Sequence, residues 1–238
     1  MDIISDKLVN WINNNPYIFS IGHPNSGNTI MNNLIARITN TRMANMLHAA
    51  ELNLSDYIFF TGHLEWFEMF DLPKYGRMMI IIRDPRDSFL GVANRWSRKS
   101  GKNVTDLIYD KNWLYNRTQA WKRYIEDFCD YEHIFVQYEK FCLNPKETLT
   151  DMIGFLNLEI VNDIDEYIIK HDIDENKNNT TFANSRERYQ AHCLKWKRDS
   201  VVNDEYLDFI WEHLQNQMIE FGYIKEGHDD SLSGELNG

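Results

Sequence analysis

The apolar positions of the chain fall in short blocks of two kinds. YIFSIG (17–22), DYIFFTG (56–62), RMMIIIRD (77–84) and HIFVQY (133–138) are compact apolar runs bounded by turn residues. That is the pattern of strands buried on both faces of a parallel sheet. Between and after them the apolar residues recur every three or four positions, which predicts helices. TIMNNLIARI (29–38) does so through Ile30, Leu34, Ile35 and Ile38. PRDSFLGVANRWSRK (85–99) is opened by Pro85, which suits a first helical turn, and NWLYNRTQAWKRYIEDF (112–128) and NPKETLTDMIGFLNL (144–158) follow. DEYLDFIWEHLQNQMIEFGY (204–223) closes the series with a glycine near its end, and LVNWI (8–12) adds a short amphipathic helix before Pro16. Strand and helix alternate, so the expected fold class is α/β: three layers, α/β/α, about a central parallel sheet. Residues 1–225 are expected to form one domain and 226–238 a disordered tail, while His171–Asp199 is aperiodic and long enough for a functional lid.

Composition narrows the function. A hydrophobic share of 43% and many aromatics support a sizeable core, and the mean hydropathy of −0.53 fits a soluble protein. The net charge of −11 argues against a nucleic-acid partner held by a broad basic field, but not against an anion held in a local pocket. Cys129, Cys142 and Cys193 are scattered, without metal-ligand spacing, and are expected to be reduced thiols. The acidic, polar N-terminus is no signal or transit peptide, and no apolar run reaches the length of a membrane span. A cytoplasmic location, without membrane partner, is the expectation.

The chemistry concentrates in FSIGHPNSGNTIMNNL (19–34), a strand, a glycine-bearing turn and a helix. From Gly22 it nearly spells the phosphate loop G-x-x-x-x-G-K-[ST], with Asn28 where lysine should stand. Gly22 and Gly27 let the backbone approach a ligand, the amides opening the helix point at it, and Ser26, Asn28 and Thr29 add side-chain donors. An anion site is expected. A kinase or ATPase needs the lysine on its β/γ-phosphates. A sulfuryl donor carries less charge and needs no metal bridge, so the loop suits that cargo better.

Here the chain resembles the sulfotransferases that use 3′-phosphoadenosine 5′-phosphosulfate (PAPS). HPNSGNT, in particular Pro24 to Thr29, resembles their 5′-phosphosulfate loop P-K-S-G-T-T-W. Further matches follow in the family's order: TGHLEW (61–66), IIIRDPRDSFLGVANRW (80–96), FVQYEKFCLNPKETLTDMIGFLNL (135–158), NTTFANS (179–185) and, loosely, RERYQAHCLKWKRDS (186–200). The resemblance spans roughly Tyr17 to Tyr223 and implies the P-loop-like sulfotransferase fold. It implies PAPS as donor, adenosine 3′,5′-bisphosphate as product, no metal, and His63 as catalytic base. It implies that Pro24, Asn25, Ser26, Gly27, Asn28 and Thr29 hold the 5′ end, with Asn25 assisting the leaving group. Arg83 is implied at the 3′-phosphate, with Arg186 or Arg188 and Lys197 closing over it. Tyr138, Thr180 and Phe182 are implied at the adenine.

The departures bear on catalysis more than on fold. The family's lysine is Asn25 here, its first threonine Asn28, its tryptophan Ile30, and the serine that joins the strand arginine falls at Gly91. Arg186, Arg188, Lys195 or Lys197 could make up the lost charge. Trp66, Phe67, Trp96, Trp113 and Tyr115 are candidates for the acceptor pocket. Glu65, Glu68 and Asp110 hint at a polar or cationic small molecule, of the natural-product or alkaloid kind, sulfated on oxygen or nitrogen. Two rival readings stay open: a non-catalytic module that binds adenosine bisphosphate, and a P-loop small-molecule kinase with a degraded loop.

Overall fold

A computed structural model describes residues 18–45, 59–62, 77–128, 132–175, 193–225 and 227–228. The elements, in chain order, are β1 (Ile18–Gly22), α1 (Asn28–Thr39), β2 (Met43–Asn45), β3 (Phe59–Gly62), β4 (Arg77–Ile82), α2 (Pro85–Ser100), α3 (Val104–Ile108) and α4 (Lys111–Glu126). Then come β5 (Glu132–Gln137), α5 (Tyr138–Leu143), α6 (Pro145–Phe155), α7 (Ile164–Glu175), a 3₁₀ turn (Lys195–Lys197), α8 (Asp204–Glu220) and the short pair β6 (Tyr223–Ile224) and β7 (Gly227–His228). The chain divides into two compact units, residues 1–83 with 127–189, and residues 84–126 with 190–238.

The first unit is built on the sheet. Among the described residues five strands, all parallel, lie in the order β2-β3-β1-β4-β5. Every residue of β1 is buried, as are the five of β4 after Arg77, which is why both read as unbroken apolar runs. The α/β class with a central parallel sheet is thus the one the sequence predicts. Helix α1 buries Met31, Leu34, Ile35 and Ile38 and packs against α6 and α7. Its C-terminal carbonyls are answered by the segment before α7: Val161 N and Asn162 N donate to Ile38 O, and Asn162 Nδ2 donates to Arg37 O. The strand order reverses at β1: the chain moves from it to β2 and β3 on one side, then to β4 and β5 on the other. In open parallel sheets ligands bind at the carboxyl ends of the strands where the order reverses, and β1 ends there at its loop to α1.

The second unit is helical. Its core holds Phe89, Leu90 and Ala93 of α2, Trp121 of α4, and Tyr206, Ile210, Leu214 and Met218 of α8. Asp84 caps α2 by accepting from Arg86 N, and its two carboxylate oxygens also take Arg86 Nε at 2.9 Å and Nη2 at 2.7 Å. The same guanidinium donates to Ile224 O and Lys225 O and stacks on Trp196, with 4.2 Å from its carbon to the ring centroid. Trp196 N in turn donates to Asp87 Oδ1, and Tyr206 Oη donates to Arg86 O. Burial lowers the proton affinity of Arg86, but Asp84 and Asp87 outweigh it and hold the guanidinium above its ordinary value. Burial, then the charges of Asp84 and Asp87, push the Tyr206 phenol well above its own.

Several elements differ from the sequence reading. HIFVQY ends as a strand at Gln137, and Tyr138 opens a helix instead. Helix α7 takes in His171–Glu175, the start of the stretch read as aperiodic, and Lys195–Lys197 near its end form a 3₁₀ turn. Two apolar anchors one turn apart, Ile164 and Ile168, with Asp165 and Glu166 at the positive end of the dipole, are enough for α7. Within the stretch expected as a tail, Gly227 and His228 pair antiparallel with Ile224 and Tyr223. Among the described residues, no helix is long and apolar enough to cross a membrane.

Two measurements test this packing. Asp84→Ala leaves a buried guanidinium without its hydrogen-bonded carboxylate, so stability should fall by about 3–5 kcal/mol in urea unfolding. The stability held in the neutral Tyr206 phenol is intact below about pH 10, the unfolded value, and is lost as pH climbs from there toward the higher folded value. The alkaline fall of unfolding free energy should therefore be shallower in Tyr206→Phe than in the wild type.

Candidate active site

The loop between β1 and α1 is shaped by close approach. A β-carbon at Gly22 would overlap Ser26 Oγ and crowd Ile81 O, so the hydroxyl of Ser26 lies directly over the bare Gly22. Ser26 N donates to His23 O at 3.0 Å and closes the turn, while His23 Nδ1 donates to Pro24 O. Asn25 then sits at φ 72°, a left-handed conformation that asparagine tolerates better than most residues. Gly27 follows at φ 90°, as the cap of α1, with no side chain to occupy the first amides. Among the described residues, the amides of Gly27, Asn28 and Thr29 have no acceptor. Ser26 is 1% exposed, and among the described residues its hydroxyl has no hydrogen-bond partner. Unmet donors at the positive end of a helix make an anion cradle.

Asn28, the residue in the lysine position of a nucleotide hydrolase, is turned away from that cradle. Its side-chain oxygen accepts from Ser20 Oγ at 2.9 Å and from Asn32 Nδ2 at 2.6 Å. Its nitrogen donates to Gly62 O at 3.2 Å and to Thr61 Oγ1 at 3.3 Å, and Asn32 Nδ2 also donates to Thr61 Oγ1. The expected side-chain donor to an anion is therefore committed to a buried network that ties α1 to β1 and β3. Of Asn28, only the main-chain NH is left without a partner among the described residues. The signal was present in the sequence as two asparagines one helical turn apart, with Ser20 and Thr61 interrupting apolar strands.

Arg83 and Tyr138 meet the loop from below. Arg83 follows β4, is 6% exposed, and donates from Nη1 to Asn25 O at 3.0 Å. Its guanidinium carbon lies 4.8 Å from the Tyr138 ring centroid. Tyr138, 4% exposed at the start of α5, stands so close to Gly27 that a β-carbon there would enter its ring. The residue expected at the adenine is the floor of the loop, and the arginine expected at the 3′-phosphate is bonded to the loop itself.

His63, Thr180, Phe182, Arg186 and Arg188 lie outside the described residues, as do Glu65, Trp66, Phe67 and Glu68. Position 63 follows Gly62, and Gly62 pairs in register with Ile21, one residue before the loop begins. Pro24 is half-buried and Thr29 exposed at the start of α1. Lys197, in the second unit, is exposed, with its ammonium 5.4 Å from the Trp196 ring centroid. It borders a cavity of about 580 Å³ with Asp199, Asp204, Asp208 and Lys225. Asp110 accepts from Asn112 N and Trp113 N at the start of α4, so the carboxylate read as a hint of a cationic acceptor has a capping role.

Two glycines with positive φ separate strain from collision. Gly101, at φ 72°, has nothing within 4 Å of an added β-carbon, so Gly101→Ala should cost only the left-handed backbone, about 1–2 kcal/mol. Gly27→Ala adds the overlap with Tyr138, about 1–3 kcal/mol more. Thermal unfolding should show the difference, at about 2–4 °C per kcal/mol for a chain of this size.

No family model matches the chain, and no curated protein matches it in sequence. Among solved structures it is similar to mouse sulfotransferase SULT7A1 complexed with PAP, with a TM-score of 0.59 and 16% identity, over 91% of this chain and 92% of that one. The sulfotransferase domain of the Synechococcus olefin synthase aligns with a TM-score of 0.45 and 13% identity, over 84% of this chain and 94% of that one. A likeness to SULT7A1 that runs nearly end to end in both chains establishes the architecture: this protein has the sulfotransferase fold.

Proposed function

We propose that the protein moves a sulfuryl group from PAPS to a hydroxyl or amine of a small, polar acceptor. The observation that supports this most is the cradle at the end of β1: three amides without acceptors and a buried, unpartnered Ser26 hydroxyl, with no lysine in the loop. Such a site suits a singly transferred sulfuryl group better than a triphosphate. That the fold is shared with a protein crystallised with PAP points to the same nucleotide. The carboxylate that follows β4, Asp84, is paired with Arg86, which gives the kinase reading no support.

In the proposed reaction the acceptor attacks sulfur in line, and His63 takes its proton, since imidazole titrates near neutrality. The bond from sulfur to the bridging oxygen breaks, and the electron pair stays on the 5′-phosphate. The amides of Gly27, Asn28 and Thr29, with Ser26 Oγ, meet the charge that develops there. Thr180 and Phe182 take the adenine side. Arg186 and Arg188 are the proposed cations for the 3′-phosphate. A second reading, binding without transfer, is favoured by the neutral Asn25 in the position of the family's lysine.

The test compares adenosine 3′,5′-bisphosphate with ATP and magnesium in thermal unfolding. A ligand at 100 times its Kd stabilises by about 2.7 kcal/mol, which corresponds to a rise of roughly 5–10 °C at this size. The bisphosphate should give that rise and ATP should not; the reverse result would favour the kinase. His63→Ala should keep the bisphosphate shift and lose at least about 100-fold in PAPS turnover. A wild type that binds the bisphosphate but turns over no PAPS would favour the binding module.

A further inference from the structure

We infer that Asn28 is a positioning residue: its side chain sets the distance between the anion cradle and the end of β3, the strand that leads into position 63. This rests on the PAPS reading above and on His63 as its base. Asn28 works in two directions. Its main-chain NH is one of the three cradle amides without an acceptor among the described residues, while its side chain bonds to β1 and β3. Any shift of the end of β3 against the cradle therefore has to break bonds to this one residue.

The side-chain amide is used to capacity. Asparagine offers two donor hydrogens and an oxygen with two lone pairs. Here the oxygen accepts from Ser20 Oγ at 2.9 Å and Asn32 Nδ2 at 2.6 Å, and the nitrogen donates to Thr61 Oγ1 at 3.3 Å and Gly62 O at 3.2 Å. Ser20 and Thr61 are partners in the register of β1 and β3, so the amide bridges the two strands at one level. Asn32 Nδ2 also donates to Thr61 Oγ1, at 2.9 Å, and supports the clasp from one turn further along α1. All four side chains are buried, where such bonds are electrostatically stronger than in water. A carboxylate of the same shape would have no proton for Gly62 O. That oxygen belongs to the planar peptide unit that joins Gly62 to position 63, so a bond to it fixes the plane from which residue 63 departs. The proposed base has to come within hydrogen-bond reach of the acceptor while the cradle holds the leaving group. An error of about 1 Å in such an arrangement can cost about 100-fold in rate.

Calorimetric affinity for adenosine 3′,5′-bisphosphate and hydrolysis of PAPS to sulfate and the bisphosphate test this in the full chain, with and without His63. In hydrolysis water attacks sulfur, its proton goes to the base, and the bridging oxygen leaves with its electron pair on the bisphosphate. Asn28→Ala keeps the cradle NH, so affinity should stay at the wild-type value while turnover falls about 10–100-fold. In a His63→Ala background the same substitution should change turnover by less than about twofold, because residues that act as a unit are not additive. Thr61→Val removes the hydroxyl that both asparagines reach and should behave likewise, whereas Thr61→Ser keeps it and should retain turnover. That pair carries the test if Asn28→Ala does not fold. A loss of the same factor with and without His63 would make Asn28 a general structural residue and overturn the inference, as would unaltered turnover or an affinity that falls in step with turnover. Each of these outcomes leaves the PAPS reading standing. A wild type that binds no bisphosphate, or binds it and turns over no PAPS, overturns that reading and this inference with it. A His63→Ala variant as active as the wild type removes the base, and the inference falls with it.

Discussion

The contact between Gly27 and the ring of Tyr138 sets the geometry around which the sheet's carboxyl edge is arranged. Because no β-carbon fits between them, the chain can turn over the ring and start α1 immediately, with its first amides unoccupied. The same ring receives the guanidinium of Arg83, which in turn holds the carbonyl of Asn25. One aromatic side chain thus fixes two loop residues, one by steric exclusion and the other through a cation. The backbone is left in the conformation that exposes NH groups to an anion.

The polar groups behind the loop divide the work. The Asn28 side-chain amide and Asn32 Nδ2, with Ser20 and Thr61, spend their hydrogen bonds inside the first unit, where an unmet amide group costs about 1–3 kcal/mol. They stiffen the loop and contribute no charge to it. In the second unit, Asp84 and Arg86 form a buried ion pair whose remaining donors go to Ile224 O and Lys225 O. Two arginines three residues apart therefore have separate duties. Arg83 faces the loop of the first unit, and Arg86 joins the start of α2 to the β6–β7 turn in the second.

Strands β1 and β4 could be read from the sequence because burial on both faces leaves unbroken apolar runs, RMMIIIRD above all. Helices α1, α2, α4, α6 and α8 were legible for the matching reason, a repeated apolar stripe. What escaped were elements too short or too sparsely apolar to show a period: β2 with three residues, α3 with five, and α7 with its acidic sequence. At the site, the glycines and the missing lysine were visible, because they are statements about backbone space and charge. The direction of Asn28 was not, since an asparagine that faces a ligand and one that bonds inward look alike until the neighbouring strands are placed. The contact of Tyr138 with the loop was hidden for a similar reason. Its position at the junction of β5 and α5 puts it under Gly27, a pairing between residues 111 apart that no local pattern records.

The left-handed backbone at Asn25 carries a consequence for how this loop can change over generations. Asparagine enters that conformation easily, whereas a long aliphatic side chain enters it at a cost of about 1–2 kcal/mol. A sequence drifting at this position would therefore meet a conformational slope against lysine and settle on small polar residues or glycine. A loop with no cation at residue 25 would be slow to gain one there, and descendants of this chain should vary more freely at the acceptor side than at residue 25.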